Sequence, residues 1–167
     1  MTDQPIKQSY WVERGKLLAG EYPRNKEKES SVLKISALIG AGISAFIDLT
    51  EEDEGLLPYY ELLDAASYQR FPIRDVSIPD SSNVTVAILD AIDLHIRQGQ
   101  IVYLHCCGGV GRTGVIVGCW LTRHGYKGQA ALDRMRELWR KCPKSAHRKS
   151  PESREQEQYI RHWEESQ

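Results

Sequence analysis

The chain has 167 residues, of which 41% are hydrophobic, and its formal net charge at pH 7 is −1. This size and composition predict a single globular domain over residues 1–167 with a sizeable core. A nearly neutral chain has no basic field to attract nucleic acid or an anionic membrane, and no apolar run approaches the ~20 residues of a membrane span. Four cysteines, two of them adjacent, do not form a disulfide framework. We therefore expect a cytoplasmic protein that neither binds nucleic acid nor inserts into a membrane.

The N-terminal third of the chain predicts a hairpin, a helix and a buried strand. Two apolar stretches, 10–12 and 16–19, flank a glycine-containing turn and indicate a β-hairpin. Residues 27–41 carry apolar side chains at near-helical spacing and end at glycine. The apolar run 43–49 is typical of a buried strand. The acidic run 50–54 is interpreted as a solvated turn rather than as a docking site for a basic partner.

The middle of the chain continues with a helix, a strand, a loop and a second helix. A short helix is expected over 56–66 and a strand over 68–73. The following loop carries two carboxylates, Asp75 and Asp80, and Asp80 is also a candidate N-cap for the next helix. That helix, 83–97, has apolar side chains at strict four-residue spacing, which indicates one face turned toward the core.

A glycine-rich loop between a strand and a helix is the most informative stretch of the sequence. Residues 101–104 predict the strand, and the apolar run 115–121 predicts a buried helix. Several backbone N–H groups converge at such a junction, where the helix dipole is also positive, so the loop is a predicted site for phosphate-like anions. Cys106 lies at the beginning of the loop and Arg112 at its end, with five residues between them.

The residue types in this loop indicate nucleophilic chemistry on a phosphate. A thiol at a helix N-terminus beside a cation ionises readily, so Cys106 is expected to act as a thiolate nucleophile. Arg112 presents a planar fork of donors that matches two phosphate oxygens. The Thr113 hydroxyl is expected to donate to the cysteine sulfur. The predicted substrate-binding residues are Cys107, Gly108, Gly109, Val110, Gly111, Arg112 and Thr113.

The pattern His105-Cys106-(five residues)-Arg112-Thr113 resembles the signature of the protein tyrosine phosphatase superfamily, in its dual-specificity branch. The chain is most similar to the small atypical and kinase-associated members. The resemblance implies an α/β fold with a central, mostly parallel, twisted sheet of four to five strands and helices on both faces, which agrees with the alternating predicted elements. It also implies a hydrolase that dephosphorylates phosphotyrosine and phosphoserine/threonine in proteins through a cysteinyl-phosphate intermediate, with no metal and no cofactor.

Other functions of the loop stay open at this stage. A phosphoinositide or small phosphate-ester phosphatase is less favoured, because family members with that preference often carry lysines where residues 107–111 are neutral. A sulfur transferase also places a cysteine in an anion cradle, and a non-catalytic phosphate-binding module would need no nucleophile. A Walker A nucleotide site fits poorly, because Cys106 and Arg112 occupy positions where that loop requires Gly and Lys.

The resemblance also implies a carboxylic acid on a loop about thirty residues before the cysteine and a glutamine in the last helix. Cleavage of a phosphate ester needs a proton for the leaving oxygen. Asp75 fits the family pattern better than Asp80 and is the predicted catalytic acid. Gln156 is the candidate for positioning the hydrolytic water, with Gln158 second. His105 is interpreted as a hydrogen-bonding brace of the loop rather than as a base.

The C-terminal part predicts two helices and a basic loop. Residues 128–140 form an amphipathic pattern. The segment 141–149 is rich in Lys and Arg and is a solvated surface by default, or a phosphate-steering rim if the fold brings it near the cysteine. The order Ser-Pro-Glu-Ser over 150–153 predicts a helix start with Ser150 as the N-cap.

Overall fold

The computed structural model describes residues 3–165, which form five strands, five α-helices and two short 3₁₀ helices, at Tyr60–Leu62 and Pro143–Ala146. The strands are β1 (Ser9–Glu13), β2 (Leu17–Gly20), β3 (Ile43–Asp48), β4 (Ser67–Arg70) and β5 (Ile101–His105). The helices are α1 (Lys28–Gly40), α2 (Ser82–Arg97), α3 (Arg112–Arg123), α4 (Gln129–Trp139) and α5 (Arg154–His162). No helix in this part of the chain is long and apolar enough to cross a membrane.

The five strands form one sheet in the order β1-β2-β5-β3-β4. The β1–β2 pair is antiparallel and the other three pairs are parallel. Both the predicted hairpin and the predicted α/β fold with a mostly parallel sheet are therefore confirmed. The antiparallel pair needs only a tight turn, whereas each parallel pair needs a longer connection.

Alternation along the strands sends side chains into two separate cores. On β5, Val102 and Leu104 pack with the helices α2 to α5, whereas Tyr103 packs on the opposite face with α1. Helices therefore cover both faces of the sheet, four on one side and one on the other. Residues 112–121 of α3 are all buried between the sheet and the neighbouring helices, so the start of α3 is rigidly placed.

The strands end in register at the edge of the sheet that carries the loop from Cys106 to Gly111, called the signature loop below. Gly20 at the end of β2 and Asp48 at the end of β3 both pair with His105 at the end of β5. In parallel sheets, the loops that follow the carboxyl ends of the strands are where ligands bind. The turn after β2, the acidic loop after β3 and the loop after β5 leave the sheet together at this edge.

The helix predicted over 56–66 is wrong, because only Tyr60–Leu62 is helical and that turn is 3₁₀. The carbonyl of Leu57 accepts a hydrogen bond from the Tyr22 hydroxyl at 2.7 Å, and the carbonyl of Pro58 accepts one from Arg24 Nη1 at 2.8 Å. The two carbonyls therefore accept hydrogen bonds from distant side chains and not from backbone N–H groups one helical turn later. The segment is thereby pinned to the turn that follows β2.

The predicted start of the last helix is also wrong. α5 begins at Arg154, because Ser153 and Gln156 form a capping box in which each side chain bonds the other residue's backbone N–H. The Ser150 hydroxyl instead donates to the Val110 carbonyl of the signature loop at 2.5 Å. Asp80 is likewise not an N-cap, because Ser81 holds that position at the start of α2.

Candidate active site

The loop from Cys106 to Gly111 connects β5 directly to α3, as the sequence predicts. Cys106 is 3% exposed and lies on the α3 side of the sheet, whereas Cys107 is exposed. Although Cys107 is exposed, partial desolvation of its thiol and the neighbouring Cys106 raise the pKa of Cys107. Gly109 has a φ of +76°, and a Cβ there would lie 2.5 Å from the carbonyl of Gly20. Only glycine fits this position, so the loop packs tightly against the turn after β2.

Arg112 is the first residue of α3, and its guanidinium is fixed by groups from two other loops. Nη1 and Nη2 form a bidentate pair with Glu54 at 2.6 and 2.9 Å, and Nη1 also donates to the Ile73 carbonyl at 2.9 Å. Burial disfavours the charged form, but the bond with Glu54 and the nearby Cys106 outweigh it and raise the pKa of Arg112. Nε is buried and has no hydrogen-bond partner among residues 3–165. The edge formed by Nη1 and Nη2 is therefore anchored by Glu54, whereas Nε has no partner among these residues.

Glu54 is a site residue that the sequence interpretation missed. Its side chain is 16% exposed and bonds Arg112, although the acidic run was interpreted as a solvated turn. Burial alone would raise the pKa of Glu54, but hydrogen bonds from Arg112 and the Glu51 amide lower it. Glu52 and Asp53 beside it are exposed. No spacing or periodicity separates Glu54 from these neighbours, so the sequence contained no signal for the pairing.

Asp75 lies on the loop after β4, and its Oδ1 is 3.2 Å from Arg112 Nη2. The Asp75 side chain is 62% exposed, and the same oxygen accepts the Val76 amide at 3.0 Å. Asp80 is exposed and is not among the residues that line the pocket described below. Of the two candidate acids, Asp75 is therefore the one that contacts the arginine.

His105 makes the hydrogen bonds expected of a brace. It is fully buried, its Nδ1 lies 3.1 Å from the Cys106 carbonyl, and its Nε2 lies 2.5 Å from the Tyr59 hydroxyl. Burial lowers the pKa of His105 more than the neighbouring Asp48 raises it. A neutral ring that donates from Nδ1 and accepts at Nε2 satisfies both contacts.

The bond expected from Thr113 is absent, and the Gln156 side chain bonds backbone groups of two segments. The Thr113 hydroxyl is buried and makes no hydrogen bond within the described residues, so the expected bond to the cysteine sulfur is not formed. The Gln156 amide oxygen accepts the N–H groups of Glu152 and Ser153 at 3.1 and 3.2 Å, and Nε2 donates to the Ser77 carbonyl at 2.9 Å. Gln156 thus ties the loop that carries Asp75 to the start of α5, while Gln158 is half-buried.

A pocket of about 190 Å³ opens over the signature loop. Arg148, from the basic segment expected as a phosphate-steering rim if it came near the cysteine, lines this pocket together with Glu152, to which no site role was assigned. The two side chains pair with each other at 3.1 Å. The basic segment 141–149 therefore does reach the site. The lining residues are Asp75, Val76, Cys106, Cys107, Gly108, Val110, Gly111, Arg148 and Glu152.

Comparison with known proteins agrees with this geometry. Protein 067L of Invertebrate iridescent virus 3, which is named as a tyrosine phosphatase, is 31% identical over 110 residues, or 64% of this chain and 42% of that protein. Protein MJECL20 of Methanocaldococcus jannaschii is 30% identical over 89 residues, or 53% of this chain and 54% of that protein. The chain thus matches about half the length of these curated relatives.

Solved structures share the fold at low sequence identity. Kinase associated phosphatase superposes with a TM-score of 0.75 at 18% identity and covers 95% of this chain and 93% of its own. Tk-PTP in its active form gives a TM-score of 0.73 at 21% identity and covers 92% of this chain and 93% of its own. The family model described as PTP-SAK, Swiss Army Knife protein, DSP-PTPase phosphatase domain, matches residues 6–161. The chain therefore belongs to this family of dual-specificity-type protein tyrosine phosphatase domains.

Proposed function

We propose that this chain is a cysteine-dependent phosphatase that hydrolyses phosphomonoesters through a cysteinyl-phosphate intermediate. One observation carries the proposal: Cys106 and Asp75 line the same pocket, and Asp75 contacts Arg112, whose Nε is buried and unpartnered within residues 3–165. A nucleophile and an acid thus line one space of about 190 Å³, and the acid contacts the anion-binding fork of Arg112. A non-catalytic phosphate-binding module would need neither the nucleophile nor the acid.

In the first step, the Cys106 thiolate attacks phosphorus and the bond from phosphorus to the ester oxygen breaks. The edge of Arg112 formed by Nε and Nη2, together with the amides of residues 107–112, binds the equatorial oxygens. Asp75 leaves Nη2 as the phosphoryl group takes its place there, and in its protonated form it passes a proton to the leaving oxygen. The products of this step are the alcohol or phenol and a phosphorylated cysteine.

In the second step, water attacks phosphorus and the bond between phosphorus and sulfur breaks, which regenerates the thiolate. Asp75, now ionised, accepts a proton from the attacking water. Gln156 remains the candidate for orienting that water, and it would do so through an Nε2 that also donates to Ser77. No step requires a metal ion, since the guanidinium and the amides carry the charge stabilisation.

The preferred substrates in this proposal are phosphotyrosine and phosphoserine or phosphothreonine in proteins. The family is the dual-specificity type, and a structural neighbour, TpbA from P. aeruginosa, was solved with phosphotyrosine. A phosphoinositide is the second candidate, and one observation favours it: Arg148 lines the pocket, and its guanidinium would exchange Glu152 for a further anionic group. PTPMT1, another neighbour, was solved in complex with PI(5)P.

The test is turnover of p-nitrophenyl phosphate with a chelator present, followed by panels of phosphopeptides and phosphoinositides. We expect Cys106→Ser to lower turnover by about 10³-fold or more and to retain binding of inorganic phosphate, because the arginine and the amides remain. Wild-type turnover in Cys106→Ser would exclude the cysteinyl-phosphate mechanism. Turnover that disappears with the chelator would exclude the metal-independent one.

A further inference from the structure

The backbone N–H groups of residues 107–112 form the proposed phosphate cradle. Four carbonyl groups of the signature loop accept hydrogen bonds from groups outside this cradle. In a trans peptide the carbonyl and the following N–H point in opposite directions. Holding a carbonyl away from the cradle therefore turns the next residue's N–H into it. The donor and acceptor pairs are His105 Nδ1 with Cys106 at 3.1 Å, Tyr22 N with Cys107 at 2.9 Å, Lys144 Nζ with Gly108 at 2.8 Å, and Ser150 Oγ with Val110 at 2.5 Å.

The peptide between Gly108 and Gly109 has the least intrinsic resistance to turning over. Rotation of a peptide plane changes ψ of the residue before it and φ of the residue after it, and both residues here are glycines, which tolerate most backbone angles. A Cβ at Gly108 would make only ordinary van der Waals contacts, with Val110 at 3.6 Å and the Lys144 ammonium at 3.8 Å, so packing does not crowd this position. A flipped peptide would remove one N–H donor and aim a carbonyl oxygen at the phosphoryl group.

Lys144 is built into the fold in the place that prevents this rotation. Its ammonium lies 2.8 Å from the Gly108 carbonyl and 2.9 Å from Glu21 Oε2, and its side chain is 23% exposed. The Gln8 side chain accepts the Lys144 amide at 3.1 Å, and the Gln8 carbonyl accepts the Glu21 amide at 3.2 Å. Gln8 thus fixes the backbone positions of both Lys144 and Glu21.

Glu21 is itself held from the other side. Lys34 Nζ lies 2.5 Å from Glu21 Oε1, so one carboxylate bridges two ammonium groups. Burial alone would raise the pKa of Glu21, but hydrogen bonds from Lys34 and Lys144 lower it. The carboxylate therefore stays ionised at neutral pH and keeps the Lys144 ammonium over the Gly108 carbonyl.

We propose that Lys144 is a positioning residue of the phosphate cradle, whose ammonium, held by Glu21, keeps the Gly108 carbonyl outward and the Gly109 N–H aimed at the phosphoryl group. This rests on the proposed function, because the cradle has to bind a reacting phosphate for its amide orientation to affect turnover. Lys144 does not touch the substrate in this arrangement. The basic segment 141–149 then orients the site, rather than only attracting anions to it.

The experiment compares Lys144→Met with Lys144→Arg and with Lys149→Met as the matched control. Lys149 lies in the same basic segment, pairs with Glu157 at 2.8 Å and does not line the pocket. Removing an oxyanion donor outright costs about 10²–10³ in kcat, so loss of its orientation alone should lower kcat/KM for p-nitrophenyl phosphate by about tenfold. Orthovanadate should bind more weakly by a similar factor. Lys144→Arg should recover most of both losses, and Lys149→Met should stay within about twofold of the wild type.

Assays at high salt separate positioning from charge attraction. Screening weakens long-range steering, whereas the loss in Lys144→Met should persist in 0.5 M NaCl if it arises from the peptide orientation. A loss that vanishes in salt, or that Lys149→Met reproduces, would overturn the proposal. Glu21→Gln gives a second test that does not depend on Lys144→Met folding: a smaller loss in the same direction is expected, and wild-type kinetics would contradict the proposal.

Measurements on the wild-type protein distinguish failure of the proposed function from failure of the role of Lys144. If it neither hydrolyses aryl phosphates nor binds orthovanadate, the proposed function fails. If the wild type is active and Lys144→Met matches it in kcat/KM, in orthovanadate binding and in thermal stability, only the role of Lys144 fails.

Discussion

At the scale of single residues, the two edges of the Arg112 guanidinium have different tasks. The edge formed by Nη1 and Nη2 is bound by both carboxylate oxygens of Glu54. The edge formed by Nε and Nη2 carries the unpartnered Nε and the contact with Asp75 at 3.2 Å. A bidentate carboxylate on one edge restricts rotation of the whole plane. In the proposed mechanism, Glu54 therefore orients the edge that would bind two phosphate oxygens.

Replacement of Glu54 tests this division. We expect Glu54→Gln to lower kcat/KM for p-nitrophenyl phosphate by about 10- to 100-fold, because supporting groups of a preorganised site typically contribute on that scale. Glu52→Gln, a change to an exposed neighbour in the same acidic loop, should have kinetics near those of the wild type. An increase in activity in Glu54→Gln would mean that Glu54 competes with phosphate for the arginine instead of orienting it.

The two candidate acids make a second residue-scale prediction. Asp75→Asn should slow turnover of a phosphate ester with a poor leaving group, such as phenyl phosphate, by about 10²–10³-fold, because proton donation contributes on that scale. The loss should be much smaller for p-nitrophenyl phosphate, whose leaving group needs little protonation. Asp80→Asn serves as the control, since Asp80 is exposed and does not line the pocket. Equal losses in the two variants would undo the assignment of Asp75.

Contacts within a short local pattern could be predicted from the sequence, and contacts that depend on long-range packing could not. Cys106 and Arg112 belong to one strand–loop–helix unit, so their spacing already placed them together. Glu54 meets Arg112 across 58 positions of the chain, and Lys144 meets Gly108 across 36. Neither partner follows from periodicity, because charged residues on loops are solvated by default.

At the scale of secondary-structure elements, the contact between α3 and α5 sets the position of the pocket wall. Gly118 on α3 faces Ile160 on α5 so closely that a Cβ on Gly118 would lie 2.6 Å from the nearest Ile160 atom. The absence of a side chain lets the two helices approach. Ser153 and Gln156 then place the start of α5 beside the loop that carries Asp75.

A methyl group at this contact should be destabilising. Gly118→Ala is expected to lower the free energy of unfolding by about 1–3 kcal/mol, the usual cost of overpacking a core, as measured by urea denaturation. Gly40→Ala is the matched control, because Gly40 is exposed in α1 and has open space around it; it should be neutral or stabilising by up to about 1 kcal/mol. Adding Ile160→Val to Gly118→Ala should recover part of the loss, and full stability of Gly118→Ala would contradict the close contact.

The elements themselves were largely predictable, since the strands and the long helices follow hydrophobic periodicity. The segment 56–66 was the exception, because Tyr22 and Arg24 take the carbonyls that a helix would have used. The start of α5 was misplaced for a related reason. Ser150 had the sequence features of an N-cap, but its hydroxyl bonds the signature loop, and a capping box three residues later starts the helix.

At the scale of the whole molecule, buried titratable groups make stability depend on pH from both sides. On the acid side, burial lowers the pKa of His105, and Arg112 and the Glu51 amide lower the pKa of Glu54 against the opposing effect of burial. On the alkaline side, burial raises the pKa of the Cys142 thiol and raises the pKa of Tyr22 to about 12. Each group is held in the charge state that it has at neutral pH, so protonation or deprotonation favours the unfolded chain.

The sign of each effect gives an expected stability profile. A group whose pKa is lowered in the folded state stabilises the fold above its ordinary pKa, and this stabilisation is lost as the pH falls, from about 6.5 for His105 and from about 4.3 for Glu54. A group whose pKa is raised in the folded state loses its stabilising contribution as the pH rises, from about 8.5 for Cys142 and about 10 for Tyr22. The melting temperature should therefore be nearly constant between about pH 6.5 and 8.5 and decrease on both sides. Circular dichroism melts of Cys142→Ser, whose side chain does not titrate, should decrease less steeply than the wild type between about pH 8.5 and 10. An identical slope would show that this buried thiol does not contribute to the alkaline limit.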